Sequence, residues 1–267
     1  MSLVKDHHGT DLFVYEDSFL EQTIADRLKE RGMTFYRDYL DLVKNDSQEV
    51  KKLVYSLSNS TSQFFRNPLS FALLEQFIVP RVFTFHEANR KHEIRIWSAG
   101  CATGQEPYSV AILASEFARS HRVKVPFRIF ATDNFAQALD AARLGLFDYP
   151  SVQQVKTSHL RDFFTVSGDR YRISDSIKKY VDFSSYDLLD PGSSSPPGCI
   201  FGDFDIILCC NVLLYYKPDV RKKVLQKFRK SLKPGGFFIT GEAEAPFVSG
   251  ISGFKPYGVP APVFMKL

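Results

Sequence analysis

Two glycines set between an apolar run and a helical pattern carry the first chemical signal in the chain. Residues Arg95 to Pro107 read RIWSAGCATGQEP. Arg95-Ile96-Trp97-Ser98 has the β-branched and aromatic character of a buried strand. The run stops at Gly100, Gly104 follows, and Glu106-Pro107 opens a helical pattern in which Val110, Leu113, Ala114 and Phe117 recur on one face. Pro107 suits the first helical position, because its missing N–H is one that a helix end leaves unpaired. Strand, glycine turn and helix make the first unit of a nucleotide-type α/β domain. The turn lets backbone and ligand approach closely at the carboxyl edge of the sheet.

Three later stretches put polar residues at the same edge. Phe127 to Asp133 reads as a second strand ending in a carboxylate, where a doubly wound fold binds ribose hydroxyls. Tyr180-Val181-Asp182-Phe183 returns to the sheet and runs into Asp187-Leu188-Leu189. Phe204 to Cys210 is the most buried-looking strand, and Asn211 follows it. A polar side chain there needs a partner, since an unpaired buried amide costs about 1–3 kcal/mol. Gly100 to Glu106, Asp133, Asp187-Leu188 and Asn211 therefore converge on one ligand site. Neither G-x-x-x-x-G-K-[ST] nor G-x-G-x-x-G is met, which disfavours ATP and NAD. Gly100 and Asp133 also lie further apart than the roughly 20 residues of dinucleotide binders, with the Ser120 to Val125 loop absorbing the excess. A zwitterionic nucleoside cofactor without phosphate fits acidic residues beside the loop better than a pyrophosphate.

The elements that must position these residues fit one large domain and a small accessory one. The chain has 267 residues, 44% hydrophobic and 24% charged, with a net charge of +4 that is too weak to argue for nucleic acid. Cys101, Cys199, Cys209 and Cys210 show no C-x-x-C spacing, and without a signal peptide they predict a reducing, cytoplasmic setting. The longest apolar run, Ile206 to Tyr216, falls far short of the roughly 20 residues a membrane span needs. Histidines without H-E-x-x-H or other ligand spacing predict no metal site.

Residues 1 to about 55 read as polar helices. Phe19, Leu20, Ile24 and Leu28 form one stripe, and Phe35, Tyr36, Tyr39, Leu40 and Leu42 a second, punctuated by Gly32. Arg27, Lys29, Arg31 and Arg37 are expected on or near the outer face. The polar stretch Ser58 to Gln63 leads to Phe64-Phe65, which anchors a linker from which Arg66 points elsewhere. Residues about 146–180 predict a small antiparallel insert with a hairpin at Gly168. The helix Pro218 to Leu232 turns Val224, Leu225, Phe228 and Leu232 inward and its basic residues outward, and a strand begins at Phe237.

Together, Ser60 to Pro68 (STSQFFRNP), Arg95 to Ser109, Ala131-Thr132-Asp133 and Cys210 to Tyr216 (CNVLLYY) resemble the CheR-type chemotaxis receptor methyltransferases over nearly the whole chain. The resemblance implies a class I methyltransferase-like α/β fold: a doubly wound, mostly parallel sheet with an antiparallel edge, a small N-terminal helical domain and a small antiparallel β insert. The implied division is 1–57 for the helical domain, 58–80 for a linker and connecting helix, and 81–267 for the cofactor-binding domain, with the insert as a receptor-docking β-subdomain. It also implies S-adenosylmethionine as cofactor, S-adenosylhomocysteine as product, and methyl transfer to glutamates of the cytoplasmic part of a chemoreceptor by a cytoplasmic monomer.

Carried over by position, Ser60, Ser62 and Arg66 reach the cofactor or reaction centre, and Glu106 holds the methionine end beside the loop that starts at Gly100. Asp133 takes the ribose hydroxyls, and Asp187-Leu188 and Asn211-Val212 flank the adenine and sulfonium sides. Arg66 and Tyr215 match the substrate-positioning residues. The family pattern has Arg where Cys210 stands, Asn at Asp187, and Asn and Thr at Ser60 and Ser62. Cys210 keeps open a CheR-like sensor or scaffold that binds the cofactor without transferring its methyl, and a methyltransferase acting on another protein or a small molecule shares every cofactor residue.

Overall fold

The computed structural model describes residues 11–57, 62–89, 93–199 and 202–267, so the expected cofactor residue Ser60 lies outside the described residues. The chain forms two compact units, one of residues 1–59 with 214–221 and the other of residues 60–213 with 222–267.

In the larger unit the strands, in chain order, are β1 (Ile94–Ala99), β2 (Phe127–Asp133), β3 (Leu146–Phe147), β4 (Phe164–Ser167), β5 (Arg170–Ile173), β6 (Val181–Ser185), β7 (Phe204–Cys209), β8 (Leu232–Thr240), β9 (Phe254–Pro256) and β10 (Val263–Lys266). Seven of them form one sheet in the order β6-β2-β1-β7-β8-β10-β9. From β6 to β8 every pair is parallel. The expected antiparallel edge consists of β10, antiparallel to β8, and β9, antiparallel to β10. The chain winds outward through β1, β2 and β6, then crosses back to β7 and β8 on the other side. That reversal falls between β1 and β7, where an open α/β sheet leaves a crevice at its carboxyl ends.

Alternation along the strands builds a core on each face. Ile94, Ile96, Ile129, Ile206 and Leu208 pack with Val110, Leu113 and Ala114 of the helix Gln105–His121. Trp97, Ala99, Phe130, Ile207 and Cys209 pack with Val224, Leu225 and Phe228 of the helix Pro218–Ser231. The first helix begins two residues before Pro107, which takes the third helical position rather than the first. The substitution costs nothing there, because the opening N–H groups of a helix have no intrahelical acceptor. Strand β8 also starts earlier than Phe237: it runs from Leu232, with Gly235 at φ +74 and a register shift opposite Phe204 and Ile206.

The insert is the three-stranded sheet β3-β5-β4, with its hairpin at Gly168 as expected. Phe64 packs edge-on against Phe147 and Phe164 at 4.8 and 5.2 Å, which fixes the linker on this sheet. Lys227 corrects the expectation of an outward basic face: it is half-buried and donates to the Leu188 and Asp190 carbonyls at 2.7 Å.

In the smaller unit the helices are Asp17–Glu30, Tyr36–Asn45 and Ser47–Ser56. Gly32, at φ +64, follows the first of them. The second stripe is only partly right: Phe35, Tyr36 and Leu40 are exposed, and Tyr39 with Val43 makes the buried side. Arg27 is not on the outer face either. It is 6% exposed and, with Arg31 and Tyr39, hydrogen-bonds the fully buried Glu49. Residues 214–221 are stitched to the start of this unit, since Glu16 N–H donates to Tyr215 O and Lys217 N–H to Val14 O, each at 2.9 Å. The Tyr215 ring lies 4.5 Å from Phe19.

Candidate active site

The crevice between β1 and β7 is built by loops under unusual backbone constraint. Beyond β1, Gly100, Ala102 and Gly104 all have positive φ, and beyond β7 so does Asn211 at φ +60. Gly100 N–H and Cys101 N–H both donate to Thr132 O, at 2.8 and 3.0 Å, which folds the first loop across the end of β2. A Cβ on Gly100 would stand 2.5 Å from Val212 Cγ2, so glycine is what lets the two loops approach.

Asp133, at the end of β2, accepts from Ala102 N–H at 2.9 Å and from Phe135 N–H at 3.0 Å. Burial holds its carboxyl above the usual range, against the pull of the backbone N–H groups of Phe135, Ala102 and Asn134. One oxygen takes each bond, so each keeps acceptor capacity for a hydroxyl. Glu106 accepts from Ser98 Oγ at 2.7 Å. Burial pushes it up to about 7; hydrogen bonds from Ser98 and Cys210 act the other way, the like charge of Glu244 adds to the rise, and the Arg66 charge opposes it. The Cys210 thiol itself is pushed well above its ordinary value by burial beside Glu106 and Glu244, so it is a protonated donor.

The linker enters through Phe65, whose N–H donates to Ser109 Oγ at 3.1 Å and whose φ is +56. It leaves Arg66 exposed. Ser62, half-buried, precedes this anchor. Asp187 is exposed and caps the Leu189 N–H at 2.8 Å, while Leu188 is buried in the core beneath. A cavity of about 560 Å³ opens beside Asp187, lined also by Tyr186, Asp190 and Ser193. The structure thus joins Gly100 with Val212, Ala102 with Asp133, and Glu106 with Ser98, Cys210 and Arg66, while Tyr215 belongs to the smaller unit.

Comparison with known proteins identifies the family. The model of the CheR methyltransferase SAM binding domain matches residues 59–252, and that of the CheR methyltransferase all-alpha domain matches residues 1–58. The chain belongs to the CheR methyltransferase family. It is 33% identical over 209 residues to the chemotaxis protein methyltransferase of Vibrio anguillarum, covering 77% of this chain and 72% of that one. With the chemotaxis protein methyltransferase of Borreliella burgdorferi it shares 26% identity over 250 residues, covering 91% and 86%. This CheR chain is a methyltransferase whose cofactor is S-adenosylmethionine.

The crevice suits that cofactor. Glu106 offers a partly buried carboxyl to an ammonium group, and Asp133 offers free acceptor capacity to vicinal hydroxyls. Among the described residues no group of three His, Cys, Asp or Glu could hold a metal ion, and no helix is long and apolar enough to cross a membrane.

Sequence reasoning missed Glu244. It follows β8, is fully buried, and accepts from the backbone N–H groups of Asn211, Val212 and Leu213 at 2.7–2.9 Å. The expectation of a partner for the Asn211 side chain is thus corrected: its backbone N–H donates to Glu244, while its buried Oδ1 accepts no hydrogen bond. The only sequence signal is a charged residue in the short turn Gly241-Glu242-Ala243-Glu244 directly after an apolar strand.

Proposed function

We propose that this CheR chain transfers the methyl group of S-adenosylmethionine to glutamate carboxylates in the cytoplasmic part of a chemoreceptor, giving methyl esters. The observation that carries the reading is the pair of partly buried carboxyls, Asp133 at the end of β2 and Glu106 in the first turn of the helix after β1, on either side of a glycine loop. The names of the two relatives, both chemotaxis protein methyltransferases, support the receptor as substrate.

Bound S-adenosylmethionine supplies an electrophilic methyl group. The acceptor glutamate is already ionised near neutrality, with a reference pKa of about 4.3, so the chain needs no general base. Its residues have to hold one carboxylate oxygen in line with the methyl–sulfur bond and exclude water. In this reading Arg66 steers the acceptor's other oxygen and the Tyr215 hydroxyl orients it. Ser60 and Ser62 bind the cofactor from the linker, Asp187 and Leu188 flank the adenine, and Asn211 with Val212 flanks the sulfonium.

Calorimetric titration with S-adenosylhomocysteine tests the cofactor half, with Asp133→Ala as control. Micromolar binding by the wild type, lost in the control, is expected. Base-labile methyl transfer to receptor fragments tests the substrate half. Cys210 favours a second reading, a cofactor-binding scaffold without transferase activity, and tight binding with no methyl transfer to receptor fragments, to other proteins or to small-molecule acceptors would support it.

A further inference from the structure

The loop after β7 is held by a single buried side chain from a distant part of the chain. Glu244 Oε1 accepts from Val212 N–H at 2.8 Å and Leu213 N–H at 2.7 Å. Its Oε2 accepts from Asn211 N–H at 2.9 Å and from Gly241 N–H at 2.8 Å, and shares the one proton of the Thr240 hydroxyl, 2.8 Å away, with Cys209 O at 2.9 Å. Three consecutive N–H groups aimed at one carboxylate form an anion-binding nest, here filled by the protein itself. The nest requires Asn211 to sit at φ +60, a conformation that L-residues seldom adopt. Val212, the middle residue of the nest, is the one whose side chain packs on Gly100 across the crevice.

We infer that Glu244 is a positioning residue for methyl transfer: its carboxylate sets the backbone of Asn211 to Leu213 and, through Val212, the width of the crevice in which the cofactor lies. The inference rests on the cofactor reading given above. The constraint is specific to a carboxylate. Both oxygens only accept, so the amide nitrogen of a glutamine would meet at least two N–H groups whichever way it turned. An aspartate would fall short by one methylene. Gly241 closes the arrangement, since a Cβ there would stand 2.8 Å from Glu244 Oε2.

A role in positioning differs from mere stabilisation in what it moves. Glu244 also faces Glu106 as a like charge, alongside the Ser98 and Cys210 donors and the opposing charge of Arg66. Removing its charge therefore changes the pH profile of cofactor binding, which a loss of fold stability alone leaves in place. The experiment titrates wild type, Glu244→Gln and Thr240→Val with S-adenosylhomocysteine across pH, below the melting temperature of each.

Glu244→Gln is expected to weaken binding by at least about tenfold in the folded protein and to move the pH midpoint downward. Thr240→Val, which removes the hydroxyl shared between Oε2 and Cys209 O and keeps the shape, should weaken binding roughly two- to fivefold. Wild-type affinity and an unmoved midpoint in Glu244→Gln overturn the inference, even where its melting temperature falls. Should Glu244→Gln not fold, Thr240→Val decides alone: weaker binding supports the inference, and unchanged binding overturns it. A wild-type protein that does not bind S-adenosylhomocysteine overturns the cofactor reading instead.

Discussion

A partly buried carboxyl group beside two strand ends loses much of the solvation that its charged form needs, and Glu106 is in that position. Its pKa of about 7, against an ordinary 4.5, means that between those values the folded chain binds a proton the unfolded chain has released. Its contribution to stability without cofactor therefore falls as pH rises through that window. Cofactor binding runs the other way, because an ammonium group beside Glu106 favours the ionised form. Affinity for S-adenosylhomocysteine should then weaken by up to about tenfold per pH unit below about 7, and Glu106→Gln should flatten the profile. Calorimetry across that range checks both. Arg66 makes a different demand. It is exposed, so its removal should leave the fold intact. We expect Arg66→Ala to lose at least about tenfold in methyl transfer while S-adenosylhomocysteine affinity changes much less. Near-normal turnover would remove Arg66 from the mechanism.

Among the elements, the loop after β1 was legible because its signal is local: two glycines at fixed spacing between a strand and a helix need no distant partner to be read. Gly100 can be tested as such. Alanine there meets an unfavourable φ of +73 and a contact of 2.5 Å with Val212. Gly100→Ala should cost about 1–3 kcal/mol and weaken cofactor binding, and adding Val212→Ala should recover only the steric part. Urea unfolding of the double-mutant cycle separates the two causes.

Long-range pairs were illegible for the matching reason. Nothing near Glu244 reveals that its acceptors are meant for the N–H groups of residues 211–213. Arg27 misled in the same way, because helical spacing does not distinguish a solvated arginine from one buried on a carboxylate two helices later. Burial alone would raise the Glu49 pKa, but hydrogen bonds from Arg27, Arg31 and Tyr39 hold it below the ordinary value. The stability it contributes is thus present above pH of about 4.5 and is lost as pH falls through its lowered value. Glu49→Ala leaves Arg27 buried without that partner, and should cost the helical unit about 3–5 kcal/mol in urea unfolding followed by circular dichroism.

At the scale of the molecule, the two units are compact but not separate lengths of chain. The chain passes from one to the other after residues 59, 213 and 221. The last passage falls inside the helix Pro218–Ser231, so one continuous helix belongs to both. Loss of the larger unit would free both ends of residues 214–221, whose backbone is hydrogen-bonded to Val14 and Glu16. The units should therefore unfold together. Trp97, the one tryptophan of the sequence, is fully buried in β1 and reports the larger unit by fluorescence, while far-ultraviolet circular dichroism reports the helices of both. S-adenosylhomocysteine at about a hundredfold its Kd adds roughly 2.7 kcal/mol to the folded state, equivalent to a rise of about 5–10 °C in Tm. Both signals should move by that amount and stay coincident. A second dichroism transition that ignores S-adenosylhomocysteine would show instead that the shared helix can break at the boundary and that the helical unit melts by itself.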